Sequence, residues 1–185
     1  EKHHILGTTG TNYILVENNK NEEKYNLTFN DEEKKEIFTA LEKLIYEYNI
    51  QSMTTKEDQL QDRESQITLS AIGRNAPSEI KKEYDPEGKI RTIWVDFLRN
   101  HLSEEKYDIR IGGTTSIDIT RKGLDKEWGI RNFAKYNGIK LENILFFGDK
   151  IHPGGNDFPA TKIVDCIKVK SPKDTLNKIQ EIFTG

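Results

Sequence analysis

The stretch that most constrains this chain is Ile144-Leu145-Phe146-Phe147-Gly148-Asp149, followed within one loop by Gly154-Gly155-Asn156-Asp157. The short β-branched and aromatic run reads as a buried strand. Its end in Gly148-Asp149 puts a carboxylate at the C-terminal tip of that strand, where open α/β sheets bind ligands. Asp149, Asn156 and Asp157 offer hard oxygen donors, a set suited to Mg²⁺ sharing its coordination with a phosphate. A plain surface turn does not need so many donors.

Length and charge narrow the alternatives. With 185 residues there is room for one large domain or two small ones. The net charge of -3 carries no basic excess of the kind that draws nucleic acid or an anionic membrane. The longest apolar runs are strand-sized, too short to span a bilayer, and no charged start with an apolar continuation marks secretion. Cys166 is the single cysteine, which excludes an intramolecular disulfide, and its apolar setting predicts a buried strand residue. A cytoplasmic protein is expected.

Along the chain, the pattern changes style once. His3 and His4 are adjacent at the start and are expected to be solvated rather than ligating. Asn12 to Glu17 and Lys24 to Phe29 predict a hairpin across a turn at Asn18 to Asn21. Asn30-Asp31 then caps a helix to about Tyr48, with Ile37, Leu41, Leu44 and Ile45 on one face. Residues 51–62 read as a loop or edge, and residues 65–72 as a half-buried strand with Ile67, Leu69 and Ala71 inward. Pro77-Ser78 opens a short helix. After the turn at Asp85 to Gly88, residues 89–102 form an amphipathic helix with Ile90, Ile93, Trp94, Phe97 and Leu98 on its apolar face; Trp94 and Phe97 read as core anchors. Residues 107–111 and 115–120 pair across Gly112-Gly113-Thr114. From there the order is helix (124–136), strand (143–147), strand (163–169) and a last helix with Leu176, Ile179, Ile182 and Phe183 inward. The first style is α+β and the second is the βα alternation of a parallel sheet, so a boundary falls near Arg121.

Phe147-Gly148-Asp149 with Gly154-Gly155-Asn156-Asp157 resembles the fourth motif of the haloacid dehalogenase (HAD) phosphohydrolases, in the branch of Cof-type sugar phosphatases and phosphomannomutases, subfamily IIB. Gly123-Leu124-Asp125-Lys126 resembles the third motif, which implies that Lys126 steadies the transferring phosphoryl group. Gly112 to Asp118 is similar to the phosphomannomutase segment whose serine and aspartate contact the sugar phosphate, here Ser116 and Asp118. Arg63, Arg74 and Lys81 stand at the offsets of the cations that bind the phosphate not being transferred, with Lys81 in place of an arginine. Thr120-Arg121-Lys122-Gly123 departs from the aromatic-Pro-x-Gly string of the mutases and looks more like the bacterial hydrolases.

The resemblance implies an α/β fold: the C-terminal half of a HAD-like Rossmannoid core (121–185) with an α+β type IIB cap (1–120), the first residues belonging to core or linker. It also implies a Mg²⁺-dependent phosphatase acting on a small phosphorylated metabolite, a sugar phosphate, through an aspartyl-phosphate. A phosphomannomutase and a non-catalytic phosphosugar-binding protein are the alternatives. The Asp-x-Asp-Gly-Thr nucleophile string does not occur in the sequence. The expectation is therefore that an upstream core segment is missing and that the chain alone is inactive.

Overall fold

The computed structural model describes residues 2–184. The first sheet is decided by Asn18 and Asn19, both in the left-handed region (φ 52° and 60°). Two such residues make the tight turn whose twist matches a hairpin. Strands β2 (Asn12–Glu17) and β3 (Lys20–Asn26) therefore close on a shorter turn than expected, and β1 (Lys2–Gly7) pairs antiparallel with β2.

Helix α1 (Asp31–Glu47) starts with a capping box: Glu33 N donates to the Asn30 side chain, and Asn30 N donates to the Glu33 carboxylate. It buries Ile37, Ala40, Leu41 and Leu44. The segment expected as loop or edge contains a short helix, α2 (Lys56–Gln59), and an edge strand, β4 (Leu60–Asp62). Next come β5 (Gln66–Ser70), α3 (Ser78–Tyr84), α4 (Lys89–Arg99), β6 (Tyr107–Gly112) and β7 (Ser116–Arg121). The four strands form one antiparallel sheet in the order β4-β5-β7-β6. Ile67, Leu69, Ile109, Ile117 and Ile119 project from it into a core shared with α1 and α4.

Two expectations need correction here. Strand β5 is not half-buried: Thr68 and Ser70, on the face away from the core residues, are each 2% exposed. On α4, Trp94 and Leu98 are buried and Phe97 packs against the core, but Ile90 and Ile93 are exposed and Arg91 lies inward. Positions 91, 94, 95 and 98 share a helix face. Asp85 fixes the start of that helix by accepting from Ile90 N and Arg91 N.

The remaining elements are α5 (Lys126–Asn137), the parallel pair β8 (Leu145–Gly148) and β9 (Asp165–Lys168), and α6 (Pro172–Thr184). Cys166, on β9, is half-buried, and burial pushes its thiol pKa up. On α6, Leu176 and Ile182 are 55% and 45% exposed, contrary to the expected inward stripe, and the side chain of Phe183 lies outside the described residues. The N-terminal residues pack on α5. The backbone of Thr9-Gly10 comes so close to Gly129 that a Cβ there would lie 2.2 Å from Thr9 O. Tyr13 meets Phe133 and Tyr136 edge-on and donates to Asn137 Oδ1 at 3.1 Å. His4 is exposed, as expected, and its ring also shares a 2.7 Å hydrogen bond with Tyr13 Oη and meets Phe133 edge-on.

The chain thus crosses between its two parts twice, near Thr28 and near Arg121. Arg121 ties the crossings together. Its Nε and Nη2 donate to the Glu33 carboxylate at 2.8 and 2.6 Å, and Nη2 also donates to Thr28 O at 2.7 Å. This pairing, above all the hydrogen bond from Arg121, holds the Glu33 carboxyl below its ordinary pKa. No helix among the described residues is long and apolar enough to cross a membrane.

Candidate functional site

The loop after β8 gathers the first group. Asp149 stands exposed at the strand's tip, and Asn156 is exposed farther along the loop. Asp157 is buried: one carboxylate oxygen accepts from Lys150 N at 3.2 Å, and the other lies 3.8 Å from Lys126 Nζ. Lys126 begins α5 behind the cap Asp125, whose carboxylate accepts from Trp128 N. A cation in a first turn opposes the helix dipole and needs an anion nearby. Asp157 is that anion, so the third and fourth motifs meet through Lys126 and Asp157.

The donor chemistry allows a divalent cation at one end of this group. Among the described residues no cluster of three His, Cys, Asp or Glu side chains could hold a metal. Mg²⁺ keeps several waters and is commonly held by one or two carboxylates plus substrate phosphate. Asp149, exposed, fits that habit, with Asn156 as an open neutral donor. Asp157, buried against an ammonium, fits as the anchor of Lys126.

The second group lies on the polar face of the four-stranded sheet. Asp118 on β7 stands between Thr68 of β5 and Arg110 of β6 in the strand register. Gln66 Nε2 donates to Thr68 Oγ1 at 3.0 Å, and Thr68 Oγ1 donates to Asp118 Oδ1 at 2.7 Å. A Cβ at position 112 would lie 2.7 Å from Asp118 Oδ2, so glycine is what lets the carboxylate lie there. Ser116 stands opposite Ser70, whose buried hydroxyl has no hydrogen-bond partner among the described residues. Ser116 and Asp118 therefore share a face, as their alternation predicts.

The three expected phosphate-binding cations are only partly assembled. Lys81 Nζ donates to Arg74 O at 2.9 Å, which brings those two residues together. Arg63 flanks the opposite end of β5, where its Nη2 donates to Gln61 Oε1 at 2.7 Å.

Sequence reasoning missed two sets of residues. Gln66 and Thr68 were visible as the polar half of an alternating strand, but their service to Asp118 depends on a strand about fifty residues away. Arg91 is 1% exposed and Asp85 5% exposed. Arg91 Nε donates to Asp85 Oδ2 at 2.9 Å and Nη2 to Asp85 O at 2.7 Å, while Nη1 reaches the carbonyls of Gly112, Gly113 and Ser116 at 2.7, 3.1 and 3.1 Å. Burial pushes the Asp85 carboxyl up, but its hydrogen bonds from Arg91 and Ile90 outweigh that and leave its pKa below the ordinary value. The available signal was an arginine on the helical spacing of Trp94 and Leu98.

Comparison with known proteins bears on what this arrangement serves. The family description "Eukaryotic phosphomannomutase" matches residues 11–185. Phosphomannomutase 1 of Dictyostelium discoideum is 35% identical over 127 residues, covering 65% of this chain and 50% of that protein. Phosphomannomutase of Saccharomyces cerevisiae is 36% identical over 129 residues, covering 67% and 50%. The chain spans about half the length of the curated relatives it matches. Among solved structures, the IMP-bound IMP-nucleotidase of Plasmodium falciparum superposes with a TM-score of 0.62 at 18% identity, covering 98% of this chain and 48% of that one. The Streptococcus mutans protein SMU.1108c gives 0.65 at 15% identity, covering 98% and 77%. At such identities the likeness is one of fold, the α/β fold of the HAD proteins.

Proposed function

The chain belongs to the eukaryotic phosphomannomutase family, within the HAD superfamily, and from that premise we propose that its protein moves a phosphoryl group between two hydroxyls of a mannose phosphate. The observation that carries this reading is the family match over residues 11–185. It favours transfer over the hydrolysis that Thr120 to Gly123 suggested. The departure in that stretch has a structural account, since Arg121 is the residue that ties the two chain crossings to Glu33.

Lys126, aimed by Asp157, stabilises charge on the phosphoryl group in flight. Ser116 and Asp118 contact the sugar phosphate, with Thr68 and Gln66 orienting the carboxylate. Arg74, with Lys81 beside it at one end of β5, holds the phosphate that stays, while Arg63, at the other end of β5, is too far away to share it. Mg²⁺ bound through Asp149, with Asn156 at hand, would neutralise phosphoryl oxygens. These 185 residues contain no Asp-x-Asp-Gly-Thr string, so the side chains named here bind and orient rather than attack phosphorus.

The test is a product assay on the protein that carries this chain, with mannose 1-phosphate, a catalytic amount of a hexose bisphosphate and Mg²⁺. Mannose 6-phosphate is the expected product, and Lys126→Ala should slow its formation by about 10²–10³-fold. Inorganic phosphate as the main product would make the protein a hydrolase. Binding without turnover would leave a phosphosugar-binding protein.

A further inference from the structure

Arg91 is the most deeply buried charged side chain among the described residues, and no role proposed above uses it. It stands on α4, behind the turn that joins β6 to β7. We propose that Arg91 is a positioning residue for the sugar-phosphate site, holding the turn from Gly112 to Ser116 in the conformation that presents Ser116 and Asp118. The role rests on the mutase reading of that site.

The geometry is specific to that turn. Nη1 points at three carbonyls, from the last residue of β6, the first residue of the turn and the first residue of β7. All three are backbone acceptors, so the guanidinium reads the path of the chain and not its side chains. The other edge of the guanidinium is spent on Asp85, whose carboxylate and carbonyl accept from Nε and Nη2. Asp85 in turn accepts from the first amides of α4. The turn carrying the site is thus bolted to the start of a core helix through one planar group. A lysine has three donors on one atom and no fork, so it cannot serve Asp85 and the three carbonyls together.

The position of the turn matters because Asp118 lies directly over it. Its carboxylate has room only beside the bare Cα of Gly112. Gly113, at φ 50°, has no heavy atom within 4 Å of where a Cβ would sit, so the outer side of the turn is open. Arg91 supplies from within the restraint that this open side lacks.

The experiment compares wild type, Arg91→Lys and Arg74→Ala as the full chain, with mannose 6-phosphate as the ligand. Amide hydrogen exchange and calorimetry are the readouts. For Arg91→Lys we expect faster exchange confined to residues 112–116, with α1 and β5 protected as in wild type. We also expect affinity lower by about tenfold, the scale of one lost charge-assisted hydrogen bond. Wild-type exchange in the turn, or wild-type affinity despite a loosened turn, would overturn the positioning role while leaving the mutase reading intact. No binding by wild type, or equal binding by Arg74→Ala, would overturn that reading and the positioning role with it. If Arg91→Lys does not fold, the wild-type guanidinium signals of Arg91 decide. They should shift on saturation together with the Ser116 amide, and a Ser116 shift without them would overturn the role.

Discussion

Residues 28–121 and the rest of the chain bury their apolar side chains very differently. The first region holds one continuous cluster from Phe29 to Ile119, including Ile37, Leu41, Leu44, Ile67, Leu69, Leu98, Ile117 and Ile119 at 1% exposure or less. In the second, the buried hydrophobics among the described residues are Tyr13, Ala134, Ala160 and Val169, while Ile5, Leu145, Leu176 and Ile182 are each more than 40% exposed. In the reading above, the contrast would separate two duties: the thick-cored region would present Ser116 and Asp118 to the sugar phosphate, and the thin-cored region would bring Lys126, Asp149 and Asp157 to the phosphoryl group.

Asp85→Ala should strain that separation most. It leaves Arg91 buried without its counterion, a change that costs about 3–5 kcal/mol. Exchange should rise throughout residues 28–121 while the aromatic packing of Tyr13 on α5 persists. A single loss of both by near-UV circular dichroism would erase the division. The same pair predicts an acid limb. A carboxyl with a depressed folded pKa contributes stability that is full above its unfolded value of about 3.9 and is lost as pH falls through the folded value. Urea midpoints for residues 28–121 should therefore hold above about pH 4 and drop below it.

Leu41→Ala against Leu176→Ala sharpens the same contrast. The first removes a fully buried side chain and should cost about 2–5 kcal/mol in urea unfolding. The second, at 55% exposure, should cost less than about 0.5 kcal/mol. Equal costs would mean that α6 packs more firmly than its exposure indicates. Asn30→Ala, which breaks the capping box of α1, is the smallest effect expected in the thick-cored region, about 1 kcal/mol by thermal unfolding.

What the sequence disclosed divides along a physical line. The Asn30 cap, the Gly112-Gly113 hairpin, Trp94 as a core anchor and the strand ending at Gly148-Asp149 are all written in local chemistry, and each is present, although that strand is not buried as expected: Leu145 is exposed and Phe146 and Phe147 are half-buried. Arg91 was not legible, because its burial depends on carbonyls more than twenty residues away. The apolar stripe of α6 showed a period, but a period does not say whether anything covers it. The contacts of the exposed His4 were not legible for the same reason, since its partners Tyr13 and Phe133 lie on other elements. The candidate residues Ser116 and Asp118 were singled out by motif, whereas the contacts that Thr68 and Gln66 make beside them needed the cross-strand register.

The Glu33 carboxylate has one further consequence, which concerns the order in which the molecule is made. It caps α1 from three residues away, yet its arginine lies eighty-eight residues downstream. On the ribosome α1 completes its own start as soon as it emerges, while the sheet that covers Ile37, Leu41 and Leu44 still lacks β7. Arg121 closes that sheet and the widest loop of the region in one stroke. Until it arrives, the apolar stripe of α1 has only β5 and α4 to pack on, without the central strand that joins them into one sheet-backed core, the kind of partly covered surface that chaperones hold.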